Sequence, residues 1–429
     1  MINKQKSNLI YQLLFGLVIF LIPTNLFLKF FESTAYINGL QIDYLIPKLY
    51  LIDLIILSSF LFWLIENIKN LFKFTNKFKK NLFKFVQNNK LGSFLIISLL
   101  LRQINSYNPV ASWWYVIKLI EISLFSLLIY HKRRLLSHKW IMISFLPTII
   151  FQSVVALFQF FNQAPILGYL FLGESNLNKQ IGLAKQTIGG VEKILPYGTT
   201  AHPNILGGFL SLSILIIIGV LLNPKIKKNK YHLQPFIYGP LGLAFITLIL
   251  TFSWSAWLLL VIGISLILFK LENKKLLISS IILILISPLI IFFANKFTDN
   301  PSISRRHYLN QTATSMSSDH LLWGVGLNNF TTQVEKYSPT REVVRFTQPS
   351  HNSFLLIFSE IGLIGIGLLF FIVSKSKKIL ATNLQWGRCL LTFVPILTLD
   401  HYVITNLSSL LMIVIFILLT KNSLSRLQK

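Results

Sequence analysis

The sequence holds a single cysteine, Cys389, among 429 residues. An intramolecular disulfide and a cysteine metal cluster are therefore excluded, and redox chemistry is not expected. Charge is scarce as well: 13% of the residues are charged, where soluble domains carry about a quarter. Acidic residues are the scarcest of these, 14 against 40 Lys and Arg, which leaves a net charge of +26. No internal repeat is visible, which weighs against inverted-repeat transporter folds.

What the chain has in quantity is apolar sequence, 53% of its residues, with a mean hydropathy of +0.64. Runs of about 18 apolar residues suffice to cross a ~30 Å hydrocarbon core as helices. Such runs predict an all-α, polytopic transmembrane bundle of about 12 spans at 9–30, 44–65, 91–104, 110–130, 140–161, 205–222, 236–252, 254–269, 276–293, 353–373, 389–399 and 407–420. The first run follows Lys4 and Lys6 but is longer than a signal-peptide core and lacks a small-residue cleavage site, so it is expected to remain as the first span.

A soluble protein with this charge would suggest a nucleic-acid partner. Here the basic residues fall in short blocks between apolar runs, which is the pattern of membrane orientation, and no nucleic acid is expected. With the N-terminus placed in the cytoplasm, every cytoplasmic loop is basic and the C-terminus is cytoplasmic too. The loops on the opposite side hold Lys179, Lys185, Lys193, Lys296, Arg305, Arg306, Lys336, Arg341 and Arg345, while Lys29, Lys48, Arg102 and Lys118 lie in or beside spans. This orients the chain as a multi-pass inner-membrane protein with two long extracytoplasmic segments, 162–204 and 294–352. Long loops in a compact protein are usually functional, and the second is expected to contain short helices.

Between the second and third runs, Leu71, Phe74, Phe78, Leu82 and Phe85 recur at steps of three and four, and Lys73, Lys77, Lys80 and Lys84 do the same on another face. The segment 66–90 is read as a cytoplasmic amphipathic helix lying on anionic membrane lipids, each lysine contributing about 1 kcal/mol. Lys118 and Glu121 stand three apart within the fourth run and can satisfy one another, as ionisable groups at membrane depth must. Asp53 has no partner nearby in sequence, and Asp400 and His401 sit at an outward turn without a pattern that assigns them a role.

The strongest local signal is Pro349-Ser350-His351-Asn352-Ser353, followed by Glu360-Ile361-Gly362-Leu363-Ile364-Gly365 as a span begins. A histidine at the mouth of a tightly packed helix can accept a proton from a hydroxyl at neutral pH. The same His-Asn-Ser cluster also reads, with equal weight, as a helix cap. Gly362 and Gly365, with Gly367, thin one side of the helix so that another backbone can approach. Upstream lie Arg305-Arg306, then Gly324-Val325-Gly326-Leu327-Asn328-Asn329-Phe330, and earlier still Ala201-His202-Pro203-Asn204.

In these segments, in this order, the sequence resembles the O-antigen ligase superfamily, whose members include O-antigen ligases, O-antigen polymerases and bacterial protein O-oligosaccharyltransferases. The family's His-Asn, nine residues, Gly-x-x-Gly pattern is met by His351, Asn352, Gly362 and Gly365. Its arginine followed by Gly-Val-Gly-Leu-x-Asn-Phe is met by Arg306 and 324–330, and its His-Pro-Asn helix entry by 202–204. The resemblance divides the chain into N-terminal transmembrane helices, 1–161, and a ligase-like membrane region, 162–429, with the extracytoplasmic loop 294–352.

The resemblance implies a metal-independent, inverting glycosyltransferase without cofactor. A glycan would pass from a polyprenyl-diphosphate carrier to a hydroxyl of a lipid, glycan or protein acceptor. His351 would be the general base, and Arg306, with Arg305, would hold the diphosphate. Bidentate guanidinium contacts suit such a leaving group, and no Asp-x-Asp motif is present among the outward acids. Asn352, His202, Asn204, Arg341, Arg345 and Arg102 are the expected substrate-binding residues. One departure stands out: in Thr251-Phe252-Ser253-Trp254-Ser255-Ala256, which resembles the family's Thr-x-Ser-Arg-x-Ala element, Trp254 occupies the arginine position. Trp254 and Trp257 read as interfacial belt residues, leaving Arg102, Lys185, Arg341 or Arg345 to supply the missing cation. The chief rival from another class, a flippase or transporter of the same lipid, would require ionisable sites at the bilayer midplane, whereas the informative residues here cluster at the outer interface.

Overall fold

The computed structural model describes residues 4–178, 182–222, 234–270, 301–345, 347–375 and 391–425. It is mostly helical. Among the described residues four helices are long and apolar enough to cross a membrane, Pro109–Leu135, His138–Asn162, Pro203–Leu221 and Ser353–Ser374, and three shorter apolar helices accompany them, Phe236–Leu250, Trp254–Ile267 and Leu407–Leu419. The count of twelve is thus not reproduced. The expected run 276–293 lies outside the described residues, as does most of the basic loop before it.

Pro203–Leu221 forms the centre of the bundle: 83% of its apolar window is buried, against 33% in Ser353–Ser374 on the periphery. Its small residues permit this. A Cβ on Gly207 would lie 3.0 Å from Ala256, and one on Gly208 would collide with the Tyr402 hydroxyl. Ser211 donates to the Ala256 carbonyl at 2.9 Å. One end of the bundle is tied by Glu66, which accepts from Ser7 at 2.6 Å, Tyr11 at 2.8 Å and Lys132 at 2.9 Å. The amphipathic segment is a helix, Leu71–Asn88, as its periodicity requires.

The opposite end departs from the sequence expectation. The runs 9–30 and 44–65 are not helical throughout. Helix Lys4–Leu21 stops two residues before Pro23, and helix Leu51–Asn67 begins only after Pro47, since a proline disfavours the helical conformation in the residue before it. Between them Phe27–Lys29 pairs antiparallel with Lys48–Tyr50, and Tyr36–Ile37 pairs with Leu40–Gln41 across Asn38-Gly39, both residues with positive φ. A third ribbon, Lys185–Ile188 with Val191–Ile194, turns on Gly189-Gly190. The fold is therefore not purely helical at this end. The loop 294–352, expected to contain short helices, holds two of them, Val334–Tyr337 and Arg341–Arg345, after the 19-residue helix Pro301–Asp319.

The two glycine motifs meet. Helix Ser353–Lys375 is broken at Gly362, whose φ of 57° and ψ of −164° are not helical. The break exposes backbone to the chain 321–326: Leu363 N–H donates to Leu321 O at 2.9 Å, Ile364 N–H to Leu322 O at 3.1 Å, and Val325 N–H to Ser359 O at 2.9 Å. Close backbone approach is as expected; its means is a break rather than a smooth helix face. A Cβ on Gly362 would lie 2.6 Å from the Leu322 carbonyl, whereas one on Gly367 meets nothing nearer than Leu95 at 3.8 Å. Gly362→Ala is expected to destabilise the protein by about 2 kcal/mol or more, combining left-handed strain with a backbone clash. Gly367→Ala should stay within about 0.5 kcal/mol. Thermal unfolding of the two variants in detergent checks the contrast, and equal melting temperatures would refute it.

Candidate active site

Four chain segments that end or begin helices converge at the ribbon-bearing end of the bundle. His351 precedes helix Ser353–Lys375, Asp400 follows helix Val394–Leu399, His202 caps helix Pro203–Leu221, and Ser255 lies in the first turn of helix Trp254–Lys270. The first three border a cavity of about 710 Å³ whose wall includes His351, His202, Asn204, Asp400 and His401.

Asp400 is the organising group. Its Oδ2 accepts from Asn204 Nδ2 at 2.8 Å and from Ser255 Oγ at 3.1 Å, and its backbone carbonyl accepts from Ser353 Oγ at 2.7 Å. Its Oδ1 faces His351 Nδ1 at 3.6 Å. That separation is beyond a direct hydrogen bond but short for opposite charges. His351 Nδ1 is buried and has no hydrogen-bond partner. The His401 ring stands edge-on to His351 at 4.8 Å and 66°, and its Nδ1 shares a 2.8 Å hydrogen bond with Thr405 Oγ1.

Burial alone would push the Asp400 carboxyl up, but the neighbouring His351 and the positive field of Arg306 outweigh it and hold the group at about 2. For His351 the balance runs the other way. Burial pushes the imidazole below its ordinary value, Asp400 draws it back up, and Arg306 and Arg305 lower it further. A histidine so placed is neutral at pH 7 and carries a lone pair, as a proton acceptor must.

Arg305 and Arg306 project from the first turns of Pro301–Asp319. Ser350, the residue before His351, donates to Asn310 Oδ1 at 2.8 Å, one turn beyond Arg306, and so clamps that helix to the histidine segment. The Arg306 Nε is buried without a hydrogen-bond partner. Neither arginine is among the cavity-lining residues.

Of the residues expected from sequence, His351, Arg306, Arg305, His202 and Asn204 are thus brought together. His202 also caps its helix, its Nδ1 accepting from Asn204 N–H at 3.1 Å. Asn352 is elsewhere engaged: its Oδ1 accepts from Phe354 N–H at 3.0 Å and Leu355 N–H at 3.2 Å, an N-cap in the plain sense. Arg102 donates to the carbonyls of Gly324 at 3.1 Å and Asn105 at 2.5 Å, holding a loop. Arg341 and Arg345 are exposed and do not line the cavity. Lys185 pairs with Glu192 across its ribbon at 2.7 Å. None of the four basic residues among these lines the cavity. Trp254 itself packs edge-on to Trp257 at 4.9 Å, and it is the next residue, Ser255, that reaches Asp400.

The Gly-Val-Gly-Leu-Asn-Asn-Phe segment is scaffold. Glu360 accepts from the backbone N–H groups of Asn328 at 3.0 Å and Phe330 at 3.2 Å. Asn329, fully buried, donates to Ser112 Oγ at 2.8 Å and the Leu327 carbonyl at 2.9 Å, and accepts from Asn108 N–H at 2.5 Å. Sequence reasoning missed Asp400, His401, Ser255 and Glu360 as parts of this arrangement.

Residues 239–370 match the family model described as O-antigen ligase. No curated protein matches the chain.

Proposed function

We propose that the chain transfers a glycan from a polyprenyl-diphosphate carrier to an acceptor hydroxyl on the extracytoplasmic side of the membrane, a reading supported by the likeness of residues 239–370 to the O-antigen ligase family model, a family of membrane glycan-transferring enzymes. The observation that carries this reading is a neutral histidine on a cavity wall, backed by Asp400 at 3.6 Å and set beside Arg306. With Nδ1 turned to Asp400, Nε2 is the nitrogen left to take the acceptor proton. The acceptor oxygen then bonds to the anomeric carbon from the face opposite the diphosphate, and the bond to the diphosphate breaks with its electron pair. Configuration inverts. The imidazolium that forms is stabilised by Asp400, and the charge developing on the leaving diphosphate by Arg306 and Arg305. No step in this scheme calls on a metal ion, since the guanidinium groups supply the countercharge.

The basic loops support a cytoplasmic N-terminus and an outward site. The decisive experiment incubates the purified protein with a polyprenyl-diphosphate glycan and acceptors of lipid, glycan and protein type, and identifies products by mass. A glycosylated acceptor with release of polyprenyl diphosphate is expected. Movement of intact donor across a vesicle membrane without any product would overturn the reading in favour of a carrier.

A further inference from the structure

The cavity beside His351 has a charge balance opposite to that of the chain. The whole sequence carries +26, yet the described residues lining the cavity include the carboxylates Asp43, Asp53, Glu121 and Asp400 against only two ammonium groups, Lys48 and Lys118. Both lysines are already committed. Lys48 pairs with Asp43, and Lys118 pairs with Asp53 and, at 2.9 Å, with Glu121. One ammonium thus serves two carboxylates, and Glu121 Oε1 is left buried without a hydrogen-bond partner. Fixed negative charge in a partly desolvated pocket repels anions far more strongly than it would in water.

The rest of the wall suits a sugar ring. Tyr50 and Trp114 present aromatic surface, and the side-chain amides of Asn25, Asn176 and Gln348 make no hydrogen bond among the described residues. Aromatic faces with free planar hydrogen-bonding groups are the complement of a polyhydroxylated ring. Tyr50, Asn25, Asp43 and Lys48 come from the ribbon excursion between the first two helices, and Trp114, Lys118 and Glu121 from helix Pro109–Lys132. All of them lie outside the stretch 239–370 that carries the family likeness.

We propose that this cavity is a sugar subsite of the transfer reaction, selective for a neutral or amino-bearing ring and closed to one bearing a carboxylate or phosphate. The proposal rests on the transferase reading and deepens it. The lipid diphosphate is kept on the arginine side of His351, while the ring to be joined lies on the carboxylate side.

The test measures binding apart from turnover. The full-length protein in detergent is titrated with three disaccharides of equal size: di-N-acetylchitobiose, its de-acetylated diamine, and one ending in glucuronic acid. The first two are expected to bind at least about tenfold more tightly than the third, one unscreened charge repulsion accounting for that ratio. Glu121→Gln, which keeps shape and removes a charge, should narrow the gap, and Trp114→Ala should weaken all three alike. Equal or tighter binding of the uronic disaccharide overturns the proposal, as does failure of all three to bind. Selective binding without any transfer from a lipid-linked donor would sink the transferase reading and leave the subsite standing. Transfer with unselective binding would do the reverse.

Discussion

Replacing His351 with alanine is expected to cut the rate of glycan transfer by about 10²- to 10⁴-fold, the usual contribution of a positioned general base, with little effect on folding. The His351 Nδ1 makes no hydrogen bond, and Asp400, which it faces, keeps its bonds to Asn204 and Ser255. The loss should fall on kcat, because a base acts in the transition state and not in holding the ground-state complex. Asp400→Asn offers a graded companion. Its amide cannot stabilise the imidazolium, so it should lower kcat by less than the alanine at His351 does and leave the melting temperature near that of the native chain. The assay is product mass against time from a purified lipid-linked donor. Transfer at the native rate in His351→Ala would remove the histidine from the chemistry.

Much of this site was legible because its parts are local. His351 announces itself by the short polar segment before an apolar run, and Arg306 by its spacing to the Gly-Val-Gly loop. Asp400 is different. It sits at an unremarkable turn in the sequence, and only the packing of helix Ser353–Lys375 against Val394–Leu399 brings it to His351. The same holds for Asp53, which looked unpartnered along the chain and is ion-paired with Lys118 of another helix. The ribbon excursion was misread for a physical reason: Phe27, Leu28, Phe30 and Phe31 raise the local hydropathy as a lipid-facing helix would. The punctuation was nevertheless present, in Pro23, Pro47 and above all Asn38-Gly39, a two-residue turn whose positive φ angles favour a hairpin over a helix. Glycine motifs were read correctly as points of close approach, but a helix broken at Gly362 is not visible until its hydrogen bonds to 321–322 are seen.

Arg306 provides the second large effect and a readout of its own. If it holds the leaving diphosphate, Arg306→Ala should lower kcat/KM by about 10²- to 10³-fold, as loss of a group stabilising transition-state charge does. Arg306→Lys should recover part of this, since an ammonium keeps the charge but loses the bidentate fork. A residue that merely braced its helix would give the same loss, so the pH profile is the discriminating measurement. His351 must be neutral to act, and its pKa lies below the ordinary value of about 6.5, in part because of the Arg306 charge. Activity of the native protein should therefore be flat above that depressed value and fall only as pH drops through it. Removing the positive charge makes the imidazolium easier to form and raises the His351 pKa. The acid limb of the residual activity in Arg306→Ala should move to higher pH, while in Arg306→Lys it should stay nearer the native position. An unmoved limb in both variants would show that Arg306 and His351 do not share a field, and the assignment of the diphosphate to this arginine would fall with it.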